Sequence, residues 1–238
     1  MTERLYFSDC YINQFDTIIT AIDAHGAVLE QTAFFPQGGG QLGDQGQLRI
    51  NSEVYEVKRT GEKKGEIIHE LNTVESIHIG AAVHGILDWR RRYQMMRMHT
   101  AQHCISRYFQ VNYGAQTVSN QLGIRKSRLD FFPIQKLAEL DRVIEEINEI
   151  IKKGIKVSFD IQPRKRAISF LKANNYQIKY LEMVPKHVKE FRIVSIGDYD
   201  FAACAGTHVR NTREIGEIYL EKIINKGQNR ERIYYSLT

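Results

Sequence analysis

The sequence predicts an α+β protein: a small N-terminal β-barrel-like domain over residues 1–88, then a C-terminal two-layer α/β sandwich with an antiparallel sheet over residues 89–238. Three observations predict it. Up to Asp88, short β-rich runs are broken by Gly, Asn and Asp roughly every dozen residues, a rhythm that suits a small barrel or curved sheet. At Trp89 the character changes to a long stretch without Gly or Pro. Beyond it, apolar residues at helical spacing alternate with further β-rich runs, which places helices on one face of an antiparallel sheet. No proline-rich linker marks the boundary.

The strands expected in the first part are 17–22, 27–35, 46–50, 54–60, 66–71 and 82–87. From Trp89 to about Gln110 the chain reads as helix, with Met95, Met98, Ile105 and Phe109 forming an apolar stripe. A second helix is expected from Ile134 to Lys153. Leu137, Leu140, Ile144, Ile147 and Ile151 carry its periodicity, and Gly154 is its natural stop. A strand at 155–161, a short helix at 168–174 and a strand at 191–196 ending in a loop at Gly197 follow. Strands at 214–223 and 232–237 complete the reading.

A chain of 238 residues buries enough apolar surface to fold without disulfides or metal, so a metal site here is more naturally functional than a staple. Cys10, Cys104 and Cys204 are too few for a disulfide framework and fit a reducing cytoplasm. No signal peptide and no membrane span is read. The net charge of +5 favours anionic partners, nucleic acid first among them, although a solvated lysine-rich surface gives the same charge. Basic residues gather at Arg90, Arg91, Arg92 and Arg97; at Arg125, Lys126 and Arg128; at Arg164, Lys165 and Arg166; and at Lys222, Lys226, Arg230 and Arg232. Each is a candidate phosphate contact or an exposed element face.

His99-Thr-Ala-Gln-His103 puts two imidazoles at i and i+4 of the first expected helix, one turn apart on one face. Cys204-Ala-Gly-Thr-His208 supplies a second pair, with Gly206 suggesting a bend that aims both side chains back. Either pair alone is a weak signal. Together they make an N/S donor set typical of zinc, and His99, His103, Cys204 and His208 are the expected ligands. Thr100 stands where a zinc peptidase carries its glutamate base, which excludes that class. Cys104 points about 100° away from His103 and is expected in the core. His25, His69, His78, His84 and His187 read as structural or surface residues. Four protein ligands normally close a site, whereas catalysis needs an open position; either one ligand stands off or the site takes a fifth.

These residues in context resemble the alanyl-tRNA editing family AlaX and the editing domain of alanyl-tRNA synthetase. The resemblance rests on Asp88-Trp89 through His103, on Gly114 through Ser119, on Cys204 through Val209, and on the glycine motif Thr32 through Asp44. It covers almost the whole chain. Threonyl-tRNA synthetase editing domains are similar in the two metal motifs but lack this arrangement of the glycine motif. Ala205 is a conservative departure, at a position where many relatives carry another small residue or cysteine.

The resemblance implies a hydrolase that deacylates tRNA(Ala) mischarged with serine, with glycine as a second candidate, through a zinc site on an editing domain. By similarity, Thr117 is the candidate for contacting the substrate hydroxyl; its other reading is a strand residue. Gly38, Gly39, Gly40 and Gln41 are candidates for a loop against the aminoacyl end, with Asp44 orienting it; glycine runs are otherwise simply turns. The C-terminal coiled segment of longer relatives is not read here, so a monomer is expected. The rival functions are a tRNA-binding module with a structural zinc and a zinc hydrolase of small esters.

Overall fold

The computed structural model describes residues 2–134 and 140–238. It contains two compact units, Met1–Met96 and Arg97–Thr238.

The first unit is built on a closed six-stranded antiparallel barrel. Its strands are β1 (Gln14–Asp23), β2 (Gly26–Leu29), β3 (Gly46–Ile50), β4 (Glu53–Lys63), β5 (Glu66–Leu71) and β6 (Ala82–Leu87). They close in the order β1-β2-β5-β4-β3-β6 and back to β1, which leaves no free edge. Period-two alternation fills the interior. Phe15, Thr17 and Ile19 of β1 are buried between exposed neighbours, and Ile67, His69 and Leu71 of β5 follow the same pattern. Leu29, Phe34, Leu48, Ile50, Val57 and Val83 complete the core with Phe15 and Ile19. Gly85 pairs with Phe15 across the β1–β6 ladder, where a Cβ would stand 2.5 Å from the Phe15 ring.

The run 27–35 does not stay in one strand. β2 ends at Leu29, Gln31–Thr32 pairs in parallel with Glu3–Arg4, and residues 33–35 leave the ladder. Side chains satisfy the released backbone there: Phe34 N–H donates to Thr32 Oγ1 (3.1 Å) and Phe35 N–H to Asp44 Oδ2 (2.6 Å). Asp44 in turn accepts from Arg92 Nε at 2.9 Å, and Arg92 also donates to the carbonyls of Cys10 and Ala33. Both side chains are buried, so Arg92 is a strut of this unit and not a surface cation.

The division between the units falls within the long helix α1 (Trp89–Tyr113). In the second unit, β7 (Gln116–Gln121), β8 (Ser127–Phe132), β12 (Ile218–Asn225) and β13 (Glu231–Leu237) form a four-stranded antiparallel sheet in the order β12-β13-β8-β7. α1 packs on it: Phe109 stacks on Phe131 with ring centroids 4.3 Å apart, and Tyr235 Oη donates to the Met98 carbonyl at 2.8 Å. A three-stranded antiparallel sheet, β9 (Val157–Pro163), β10 (Glu190–Ile196) and β11 (Asp200–Ala203), lies beside α3 (Arg164–Ala173) over a core of Ala167, Leu171, Leu181, Phe191 and Ile193.

The helix α2 (Leu140–Lys152) buries Val143, Ile147 and Ile151 and is tied to β12 through Asn148, which both donates to and accepts from the Ile218 backbone. Residues 135–139 of the expected 134–153 helix, Leu137 among them, lie outside the described residues. Strands β8 and β11 are absent from the sequence reading, and β7 enters it only as the strand alternative for Thr117. β7 is a mostly polar edge strand with no buried face to impose alternation. The expected strand at 214–223 begins only at Ile218, because Thr212–Ile215 forms a 3-10 turn capped by Asn211, and Gly216 (φ 77°) redirects the chain. Among the described residues, no helix is long and apolar enough to cross a membrane.

Candidate metal centre

α1 carries His99 and His103 one turn apart, with ring centroids 5.4 Å from each other. The second pair is delivered by a sheet edge. Cys204 directly follows β11, and its N–H donates to the Arg192 carbonyl of β10 at 2.9 Å. Arg192 Nη1 then donates to the carbonyls of Cys204 (3.2 Å) and Gly206 (3.0 Å), clamping the bend between the two candidate ligands. The bend returns His208 to within 4.5 Å of the His99 ring and 4.8 Å of the His103 ring, centroid to centroid. Cys204 Sγ lies 3.5 Å from His99 Nε2 and 3.4 Å from His208 Nε2. One ligand atom from each of the four residues falls within 4.8 Å of all the others.

Partners outside the cluster orient it. His103 Nδ1 lies 2.9 Å from Asp200 Oδ2, which leaves Nε2 for the cluster. His208 Nδ1 lies 3.3 Å from Thr100 Oγ1, which also accepts from Val209 N–H at 3.2 Å. Burial by itself would lower the His103 pKa, but hydrogen bonds to Asp200 and Cys204 push it up to about 10. The Cys204 thiol is opposed by burial yet held well below its ordinary value by His99 and His208. Burial, with His99 as a like charge, drives His208 well below the usual imidazole range. Three buried imidazoles converging on an acidified thiol are costly to desolvate without a cation, and the donor set fits one. These four residues could therefore hold a metal ion.

Asp200 and Thr100 had no sequence signal as orienting residues. Asp200 is one of two acidic residues just after Gly197, and Thr100 stood out only as not being glutamate. Cys104 is fully buried, with its thiol pushed up by that burial. Of the remaining histidines, His69 is buried in the barrel, His84 pairs with Asp16, and His25, His78 and His187 are exposed.

Thr117 lies in β7 opposite Phe131. Its hydroxyl donates to Ser106 Oγ at 2.7 Å, and Ser106 accepts a second bond from Gln102 Nε2 at 3.0 Å. In the first unit, Gly38 to Gln41 make a tight turn: Gly38 N–H donates to the Gln41 carbonyl (3.1 Å) and Gln41 N–H to the Gly38 carbonyl (2.9 Å). Gly39 and Gly40 sit at φ 58° and 87°, a left-handed conformation that favours glycine at the two central positions. Gln41 is buried, while Gly38 and Gly39 are exposed.

Several of the basic residues are engaged by the fold. Arg97 donates to the Ile215 carbonyl, Arg164 to the carbonyls of Val184 and Pro185, and Arg128 and Arg232 pair with Asp130. Arg125, Lys165, Arg166, Lys222, Lys226 and Arg230 are exposed.

Comparison with known proteins agrees with these motifs. Residues 191–234 match the family model for the threonyl and alanyl tRNA synthetase second additional domain, and residues 8–91 match that for class II (A) tRNA synthetases. The chain is 38% identical to the alanyl-tRNA editing protein AlaX-M of Methanosarcina acetivorans, over 100% of this chain and 99% of that protein. It is equally similar, at 38%, to AlaX-M of Saccharolobus solfataricus, again over 100% of this chain and 99% of the relative. Identity to AlaX-L of Pyrococcus horikoshii is 33%, over 99% of this chain and 58% of that longer protein.

Proposed function

Because the chain belongs to the AlaX alanyl-tRNA editing proteins, we propose that it edits in trans, hydrolysing the ester that joins a wrong amino acid, chiefly serine, to tRNA(Ala). Glycine is the second candidate substrate. The observation that carries the reading is the convergence of His99, His103, Cys204 and His208, which we assign as ligands of one zinc ion and as the catalytic centre. Three imidazoles and a thiolate are a donor set zinc favours, and bound zinc would supply Lewis acidity toward the ester carbonyl.

The chain's own residues do the positioning. Asp200 holds the Nδ1 proton of His103, and Thr100 fixes the ring of His208, so both present Nε2 to the metal side. Thr117 contacts the aminoacyl side chain in this reading. Gly38, Gly39, Gly40 and Gln41 of the first unit are the further candidates for substrate contact. Functionally, residues 1–88 act as the glycine-motif domain and residues 89–238 as the editing domain. The three free cysteines fit a reducing cytoplasm.

The test is deacylation of tRNA(Ala) charged with serine, glycine or alanine, by the unaltered chain and by His103→Ala. Release of serine with alanine spared, lost in the variant, is expected. Absence of release from all three by the folded, zinc-loaded chain would remove the reading. A second reading, a tRNA-binding module with a structural zinc, is favoured only by the count of four protein donors.

A further inference from the structure

The candidate hydroxyl of Thr117 is part of a directed chain of hydrogen bonds. On α1, Gln102 and His103 lie three and four residues after His99 and four and three residues before Ser106, so the four share one broad helix face. Ser106 stands about 4.5 Å along the axis from His103 at the helical rise. Ser106 Oγ accepts from Gln102 Nε2 at 3.0 Å and from Thr117 Oγ1 at 2.7 Å. A serine hydroxyl has two lone pairs and one proton, so these two bonds fill its accepting capacity. Thr117 has spent its only proton on Ser106. What its oxygen can offer elsewhere is a lone pair. β7 is held in place by Gln177, whose Nε2 donates to the Thr117 carbonyl at 2.9 Å, so the hydroxyl has a fixed origin.

We propose that Ser106, itself oriented by Gln102, is a positioning residue that sets the hydrogen-bond polarity of Thr117 and makes the aminoacyl side-chain subsite an acceptor for a substrate hydroxyl. This inference rests on the editing reading and sharpens it. An acceptor-only threonine suits the hydroxymethyl group of a seryl ester, which gives a proton. A glycyl ester has no side-chain donor to present, and an alanyl methyl would leave the half-buried acceptor unmatched. Without Ser106, the Thr117 hydroxyl is free to rotate and turn its proton toward the subsite, and this advantage is lost.

The experiment compares kcat and KM for deacylation of seryl- and glycyl-tRNA(Ala) by the unaltered chain, Ser106→Ala and Ser106→Thr. Ser106 is half-buried on a helix, where alanine is well tolerated, and circular dichroism verifies the fold. The expected result is a roughly tenfold fall in seryl kcat/KM for Ser106→Ala, one hydrogen bond's worth. Glycyl kcat/KM should stay within about twofold on the same scale, and Ser106→Thr should restore the seryl rate. An equal fall for both substrates, or no fall for either, overturns the inference while the editing reading stands. Absence of hydrolysis by the unaltered chain overturns both.

Discussion

His103 and Asp200 are 97 positions apart in sequence, yet their side chains meet at 2.9 Å, both largely shielded from water. The helix supplies the imidazole and the first residue of β11 supplies the carboxylate. This contact fixes which ring nitrogen of His103 faces the other three candidate ligands.

Asp200→Asn should therefore weaken metal binding by about 10- to 100-fold, the usual cost of losing a carboxylate behind a ligating histidine. Competition against a chelator of known affinity measures this directly. Equal affinity in the variant and the unaltered chain would mean that the carboxylate does not orient the ring.

Removing the metal should abolish deacylation and leave the helical and strand content largely intact. The candidate ligands are anchored by Asp200, Thr100 and Gly206, and the cores of both units are made elsewhere. Circular dichroism before and after chelation, alongside the deacylation assay, checks it. Loss of secondary structure on chelation would instead support the structural-zinc reading.

Arg92→Ala should destabilise the first unit by about 3–5 kcal/mol, because it leaves the buried Asp44 carboxylate without its cation. Arg92→Met combined with Asp44→Leu should recover part of that loss, since it removes both charges. Chemical denaturation of the two variants measures the difference. A single variant as stable as the unaltered chain would show that the pair contributes nothing.

His69 makes the barrel acid-sensitive. Its Nδ1 lies 3.0 Å from the Ala27 carbonyl and its Nε2 lies 2.8 Å from Thr32 Oγ1, while burial lowers its pKa from 6.5 to about 4. A histidine kept neutral when folded stabilises fully above its unfolded pKa. That contribution is lost as pH falls from 6.5 toward 4, and it amounts to about 3 kcal/mol at most. Unfolding free energy measured across this window should fall more steeply for the unaltered chain than for His69→Gln. Identical slopes would exclude His69 as the sensor.

Much of this protein was legible in its sequence because the governing physics is local. Short β-rich runs at 66–71 and 82–87, bounded by turn residues, marked barrel strands, and the fold buries alternate residues of each. The four-residue step from His99 to His103 guaranteed two imidazoles on one helix face. The pairing of two weak motifs and the glycine pattern pointed to the family that the full-length relatives share.

Tertiary structure alone decided the rest. The polar edge strand β7 has no buried stripe to announce it, and whether Thr117 faces Ser106 depends on its register against β8. Arg92 reads as one more surface cation until the chain brings Asp44 beside it. Cys204 reaches His99 only because β11 pairs with β10 and Arg192 bends the following loop, and the same pairing sets Asp200 behind His103. Such contacts depend on which strand lies beside which, and no nearest-neighbour preference encodes that.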